Sequence, residues 1–349
     1  MWAIVIRLKL PAPLICIAVI LMIPTLSLFQ PGEGQPEQLP SDVQTVAQAI
    51  PTFTSDTPRE EITFKLLHHD TGKVEEISDL DYIKGVVAAE MPISFEPEAL
   101  KAQAVAAHTY ALRRYYQQLQ NPSESLKGAQ FSTDPSVFQA YKSVSELKKQ
   151  YGDKFEENWR KLSDAVESVI DYVITYDDQP IVAAYHSMSN GETEAAASVW
   201  GQDVPYLQPV ESDGDLLAPN YQTEQSFSVQ EVREKLTQQI PEIQLSENPS
   251  DWFAVKSHTA SGAVDQIAVG DQVETGQKIR TIFGLKSASF EISVQGEQII
   301  FTTKGYGHGV GMSQYGANYL AQQGNSFQEI LEHYYSGVKI CKLSDDENK

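Results

Sequence analysis

Five glycines fall within the stretch GYGHGVGMSQYGA, at positions 305, 307, 309, 311 and 316. That density exceeds what a plain turn needs. It strips side-chain bulk from alternate positions, so some other part of the chain must come close to this backbone. The stretch is not a dinucleotide-binding fingerprint, because Val310 or Met312 stands where the last glycine of G-x-G-x-x-G would be. Nor is it a Walker A loop, since Gly-Lys-Ser/Thr is missing. His308, set among these glycines, is a better candidate site residue than a core histidine.

The chain has 349 residues, enough for one large domain or two modest ones, and its 41% hydrophobic content is ordinary for a folded protein. Its net charge of −21 repels phosphate backbones and anionic lipid, so nucleic acid is not an expected partner. A neutral polymer such as a glycan remains compatible. Arg7 and Lys9 precede an uncharged run from Leu10 to Phe29. As a helix at about 1.5 Å per residue this run spans roughly 30 Å, a hydrocarbon core. No A-x-A-like cleavage site follows it, and Ile15 before Cys16 argues against a lipoprotein. The expectation is a single-pass anchor in the cell membrane, with a cytoplasmic N-terminus and everything after it exported. The two cysteines, Cys16 and Cys341, fall in different compartments and give neither a disulfide nor a zinc cluster.

The organisation reads as a cytoplasmic N-terminus (1–9), an anchor (10–29), a tether rich in Pro, Gln, Ser and Thr (30–58), an exported domain (59–343) and a tail (344–349). The exported part divides roughly into lobes of 59–215 and 216–343. EITFKLLHHDTGKVEEIS alternates around Asp70-Thr71-Gly72 as a hairpin. LDYIKGVVAAE carries helical spacing at Leu80, Ile83, Val86 and Val87, stopped by Met91-Pro92. A second helix should begin near Phe95–Pro97, capped by Ser94, and run to about Gln118. Its alanines at 99, 102, 106 and 107 allow close approach of another element. Strands are expected at YVITY and IVAAYHS, across a turn at 177–180. Further strands alternate with glycine turns between Phe253 and Phe301. A last helix should stop at Gly324 as a C′ residue. Helical and hairpin runs kept apart in this way imply an α+β fold rather than a doubly wound sheet.

Three constellations could carry chemistry. Glu90 follows Val86, Val87, Ala88 and Ala89. It is either a helix-end glutamate turned to solvent or a carboxyl held in an apolar pocket, where burial raises its pKa into the range of a general acid. In AYHSMSNGETE, Tyr185, Ser187 and Ser189 alternate and would share one strand face, with His186 on the other. That face suits sugar hydroxyls, or is merely the polar side of an edge strand. The third constellation is the glycine run with His308. His68 and His69, beside the hairpin turn, read as solvated. Ser187 or Ser189 with His308 makes a triad only on paper, without a G-x-S-x-G elbow.

VVAAEMPISFEPEALKAQAVAAHTYAL, STDPSVFQAY, YHSMSNGETE, GYGHGVGMSQYGA and ILEHYYSGVKI resemble, in order, the signatures of the stage II sporulation protein D family. The resemblance covers roughly Leu80 to Ile340 and extends to the anchor and tether. It implies a lytic transglycosylase that cuts peptidoglycan during forespore engulfment, on strands stripped of stem peptides by a partner amidase. It implies two lobes around a glycan-binding cleft, with Glu90, in the AAEMP match, as the catalytic residue. Candidates to hold the strand are Tyr110, Ser187, Ser189, His308 and Gln314. Membrane-anchored amidase and other engulfment proteins are the implied partners. The family usually has arginine where this chain has His108. Some members carry a His/Cys zinc cluster before the QAY match; GAQFSTDPSVFQAY lacks one, so no metal and no cofactor are expected. A branch of the family described as amidase enhancers leaves open a non-catalytic, glycan-binding role.

Overall fold

The computed structural model describes residues 50–344. The expected anchor at 10–29, most of the tether and nearly all of the tail lie outside the described residues. Among the described residues, no helix is long and apolar enough to cross a membrane.

β1 (Thr63–Leu67) and β2 (Val74–Ser78) form the expected antiparallel hairpin, with Leu67 opposite Val74 and Gly72 taking a φ of +67° in the turn. Ser78 then caps α1 (Asp79–Glu90), its hydroxyl accepting the Asp81 N–H. Tyr82, Ile83, Val86 and Val87 of α1 are fully buried. The helix ends at Glu90 because Met91 turns extended and Pro92 follows. α2 (Pro97–Gln120) begins with proline in its first turn, where a fixed φ suits the helix. Its N-cap residue is therefore Glu96 and not the expected Ser94; the Glu96 N–H donates to Asn318 Oδ1 at 2.8 Å. The alanines of α2 are buried, and α1 and the segments 155–167, 172–176, 314–322 and 327–334 all pack along this helix.

β3 (Phe131–Ser132) runs parallel to β1. The polar excursion contains α3 (Val144–Tyr151), started by a Ser143/Glu146 capping box, and α4 (Phe155–Glu167). β4 (Tyr172–Tyr176) turns through Asp177 and Asp178, at φ of 51° and 58°, into β5 (Gln179–Pro180); two positive φ values in succession match strand twist. The strand expected over IVAAYHS shrinks to β6 (Tyr185–His186). Ile181, Val182 and Ala183 are buried, and the Val182 N–H goes to the Tyr206 hydroxyl rather than to a ladder.

After α5 (Ala196–Trp200), β7 (Gln222–Ser228) leads into α6 (Val229–Gln239) and the antiparallel meander β8 (Phe253–His258), β9 (Val264–Val269) and β10 (Gln272–Thr275). α7 (Gly276–Phe283), which the strand-and-turn expectation for this region did not include, precedes the hairpin of β11 (Phe290–Gln295) and β12 (Gln298–Lys304), and β12 pairs with β7. The chain returns as β13 (Met312–Ser313), parallel to β6, then α8 (Gln314–Gln322), α9 (Phe327–Tyr334) and β14 (Lys339–Lys342), antiparallel to β4. Gly324, at φ +92°, stands at C′ of α8 as expected.

Among the described residues two large hydrophobic cores form, beside two small clusters around Leu112 and Leu126, within a mixed fold of helices and mainly antiparallel sheets. One surrounds α2; the other joins Val232, Trp252, Ile267, Phe283, Ile299 and Phe301. The stacked pair Phe283–Phe301, with centroids 4.6 Å apart, anchors the second. Val310, Met312, Ile330 and Tyr335 belong to the first core, so core membership differs from the sequence-based division, which ran the second lobe on to 343. The glycine run explains the return: a Cβ on Gly311, at φ +73°, would lie 2.2 Å from the Ala184 carbonyl. The backbone that approaches it is the 184–194 segment.

Candidate active site

Glu90 is half-buried at the C-terminal end of α1. Burial pushes its carboxyl up to about 7, only partly offset by the Ala140 N–H, which donates to Oε1 at 2.7 Å. The negative end of the helix dipole acts in the same direction as burial. A carboxyl held near 7 is protonated and ionised in comparable amounts at neutral pH, so one group can give and take a proton.

Ala140 reaches Glu90 because the QAY segment lies along α1. The Lys142 N–H donates to the Gly85 carbonyl at 3.2 Å, and the Tyr141 ring stacks on Tyr82 with centroids 5.8 Å apart. Gly85 makes this possible, since a Cβ there would lie 2.3 Å from the Tyr141 ring.

One candidate, Gln314 at the start of α8, meets Glu90 directly, and so does Tyr185 of β6; both lie within hydrogen-bonding reach of its carboxyl and, like Ala140, partly offset the effect of burial. The Gln314 amide also donates to Gln103 Oε1 on α2 at 3.3 Å. The Tyr185 hydroxyl donates to Gln139 Oε1 at 2.8 Å, and burial raises its pKa well above the usual phenol. Tyr110 of α2 is half-buried and close enough to couple to Tyr185. The apolar run before Glu90 thus meets a ring of neutral polar groups drawn from α2, β6, α8 and the QAY segment.

Ser189 and His308 sit elsewhere. Ser189 is buried with both its N–H and its hydroxyl on Asp215 Oδ2, at 2.7 and 2.6 Å. Ser313 donates to the other oxygen at 2.5 Å. Burial nonetheless raises the Asp215 carboxyl. The hydroxyl expected to face a sugar is therefore committed to an internal hub. The shared strand face fails because β6 stops at His186. Ser187 is half-buried, and its carbonyl accepts the Tyr315 N–H at 3.1 Å.

His308 accepts the Val310 N–H on Nδ1 at 3.0 Å, with its ring 5.7 Å from that of His186 and 5.4 Å from that of Trp200. His186 projects to the opposite side of β6 from Tyr185, so His308 belongs to the far side of that strand. Burial drives His186 down to about 3, leaving it neutral. A second carboxyl pushed up by burial to about 7, Glu194, lies on that far side too: its N–H donates to the Gly309 carbonyl at 2.7 Å and its Oε1 accepts from Thr259 at 3.0 Å.

His108 is buried with Nε2 3.6 Å from Asp79 Oδ2. Arg59 reaches the same oxygen at 2.7 Å. Burial of Asp79 raises its pKa, but His108 and Arg59 outweigh that and hold the carboxyl below its usual value. The permanent positive charge beside Asp79 thus comes from Arg59.

Gln139, Ala140, Gln103 and Gly85 also belong to this site, although none of them stands out in the sequence. The sequence signal that points to two of them is the QAY match, whose glutamine and alanine supply hydrogen bonds and not metal ligands.

The chain is similar to known proteins. A family model described as "Stage II sporulation protein" matches residues 68–176, which include Glu90 and Gln139. The chain is 37% identical over 331 residues to stage II sporulation protein D of Bacillus amyloliquefaciens, covering 93% of this chain and 92% of that protein. It is 36% identical over 335 residues to stage II sporulation protein D of Bacillus subtilis (strain 168), covering 95% of each. An amidase enhancer of Bacillus subtilis (strain 168) is 28% identical over 310 residues, which cover 74% of this chain and 40% of the enhancer.

Proposed function

Because the chain belongs to the stage II sporulation protein D family, we propose that it is a membrane-anchored lytic transglycosylase of peptidoglycan, acting in forespore engulfment on strands stripped of stem peptides. The single observation that carries this reading is Glu90, a half-buried carboxyl titrating near 7 at a helix end, ringed by neutral donors and acceptors.

Glycoside hydrolases generally use two carboxylates, one of them to activate water or attack the sugar. A transglycosylase can work with one. Protonated Glu90 gives its proton to the oxygen leaving C1 of N-acetylmuramic acid. The ionised carboxylate then takes the proton of that sugar's own 6-hydroxyl as it closes on C1, forming a 1,6-anhydro end. Both steps need one carboxyl poised between its two forms. Intramolecular attack also spares the entropy of capturing a water molecule. Gln314, Tyr185 and Tyr110 are suited to hold sugar hydroxyls beside the acid. The 10–29 run would keep the enzyme at the membrane, beside the amidase that prepares its substrate and other engulfment proteins.

Mass spectrometry of digested peptide-free glycan tests the reading, with parent and Glu90→Gln protein side by side. The expected result is 1,6-anhydro ends from the parent and almost none from the variant. Reducing N-acetylmuramic ends would overturn it. A second reading, a non-catalytic glycan-binding activator of an amidase, draws on the similarity to the amidase enhancer. Undiminished stimulation of an amidase by the Glu90→Gln protein would favour that alternative.

A further inference from the structure

The glycine run and the end of AYHSMSNGETE take no part in the chemistry at Glu90, yet they meet at one carboxyl. The Glu194 N–H donates to the Gly309 carbonyl at 2.7 Å, and a Cβ on Gly309 would lie 2.9 Å from Glu194 Cγ. The missing side chain lets Glu194 lie against the run and reach the turn between β8 and β9. There its Oε1 accepts the Thr259 hydroxyl proton at 3.0 Å. The Ala263 N–H beside it goes to Thr259 Oγ1 at 3.1 Å. Glu194 Oε2 has no hydrogen-bond partner, although the residue is only 5% exposed. A buried acceptor left unmet is costly, so a ligand that brings a donor to it is favoured.

Glu194 and Thr259 line one cavity of about 70 Å³, several times the space that one water molecule needs. Ser198 and Thr275 also line it, and both are exposed, which gives it access to solvent. Val199, Ala263 and Val264 supply an apolar wall, and the Gln277 amide is a donor. Ionic ligands fit poorly. Glu194 and Asp265 repel an anion. Among the described residues, no three His, Cys, Asp or Glu side chains converge to hold a metal ion. Burial pushes the Glu194 carboxyl up to about 7, only partly offset by Thr259 and Ala263, so an organic cation finds a weak counter-charge. The group that fits is small and neutral, with a methyl, an N–H and a carbonyl.

We propose that this cavity is a second glycan-binding site and takes the acetamido group of an N-acetylated sugar: the N–H donates to Glu194 Oε2, the carbonyl accepts from Gln277, and the methyl packs on Val199, Ala263 and Val264. The proposal rests on the peptidoglycan reading for the source of the ligand, since each sugar of that polymer carries an acetamido group. It adds a hold on the far side of β6 from Tyr185, which keeps the protein on a strand whether or not Glu90 is engaged.

The test reads the cavity and not turnover. The full-length chain, in detergent micelles, is labelled with carbon-13 at its valine methyls, and the Val199 and Val264 signals are assigned by their loss in Val199→Ala and Val264→Ala. N-acetylglucosamine, glucosamine and glucose are then titrated in at millimolar concentrations, the range expected for so small a group. N-acetylglucosamine should shift both signals, and the two sugars without an acetyl group should shift neither. Glu194→Gln keeps an acceptor for Thr259 but turns a second donor toward the cavity, and should weaken binding at least about tenfold. Val199→Phe fills the place of the methyl and should abolish the Val264 shift, which keeps the question answerable if Glu194→Gln does not fold. No shift with N-acetylglucosamine, equal shifts with glucose or glucosamine, or undiminished binding by either variant would overturn the proposal. A protein that makes 1,6-anhydro ends without these shifts loses the second site and keeps its chemistry; shifts without such ends do the reverse.

Discussion

Replacing Glu90 by glutamine should remove catalysis and, at alkaline pH, make the protein more stable. The folded carboxyl titrates near 7 against an ordinary value of 4.5, so the folded state prefers the protonated form. Below about pH 4.5 both states bind the proton and there is no penalty. Between about pH 4.5 and 7 the unfolded chain ionises first and folding loses stability. Above that range the penalty is complete. A shift of this size corresponds to about 3 kcal/mol at most. Because Glu90 keeps some solvent access, about 1–2 kcal/mol is the expected magnitude. Glutamine keeps an oxygen for the Ala140 N–H and cannot ionise. Thermal melts of parent and Glu90→Gln at about pH 4.5 and about pH 8.5 measure the effect. Little difference is expected at the lower pH, and a melting temperature about 3–6 °C higher for the variant at the higher pH. A variant that melts at or below the parent under alkaline conditions would refute burial as the cause of the raised value. It would turn Glu90 back into an ordinary helix-end glutamate.

The rate of glycan cleavage should fall as pH rises through about 7, since the protonated form of Glu90 must start the reaction; a rate that keeps climbing well above that pH would exclude Glu90 as the acid. Ser189→Ala should cost about 1–2 kcal/mol of stability in urea denaturation by leaving Asp215 short of a donor, with glycan affinity unchanged; weaker glycan binding without destabilisation would return Ser189 to the substrate face. Gly311→Ala, with a Cβ 2.2 Å from the Ala184 carbonyl and a φ of +73°, should lose about 3 kcal/mol or more by the same measurement; a neutral result would mean the 184–194 segment does not lie where it is described.

Several parts of this architecture were legible without coordinates because their causes are local. Helical spacing from Leu80 to Val87 and the Met91-Pro92 stop put Glu90 at a helix end, where it is found. Asp70-Thr71-Gly72 closed the first hairpin and Gly324 ended α8, each through a backbone preference carried by a few adjacent residues. The glycine run announced a close backbone neighbour but not its identity, because steric room names no partner. Ser187 and Ser189 illustrate the limit. Their grouping with Tyr185 assumed that one strand persisted, and a strand exists only where a partner ladder does. β13 pairs with two residues of that segment and no more. Gln139 was invisible for a related reason: its partners, Tyr185 and Ala107, are 46 and 32 residues away, and an amide in a loop carries no pattern that points so far. Local sequence set the first two helices, several turns and the helix-end position of Glu90. Which polar groups surround the Glu90 carboxyl was decided by how α2, β6, α8 and the QAY segment pack together, because hydrogen-bond partners distant along the chain are selected only when burial brings them within about 3 Å.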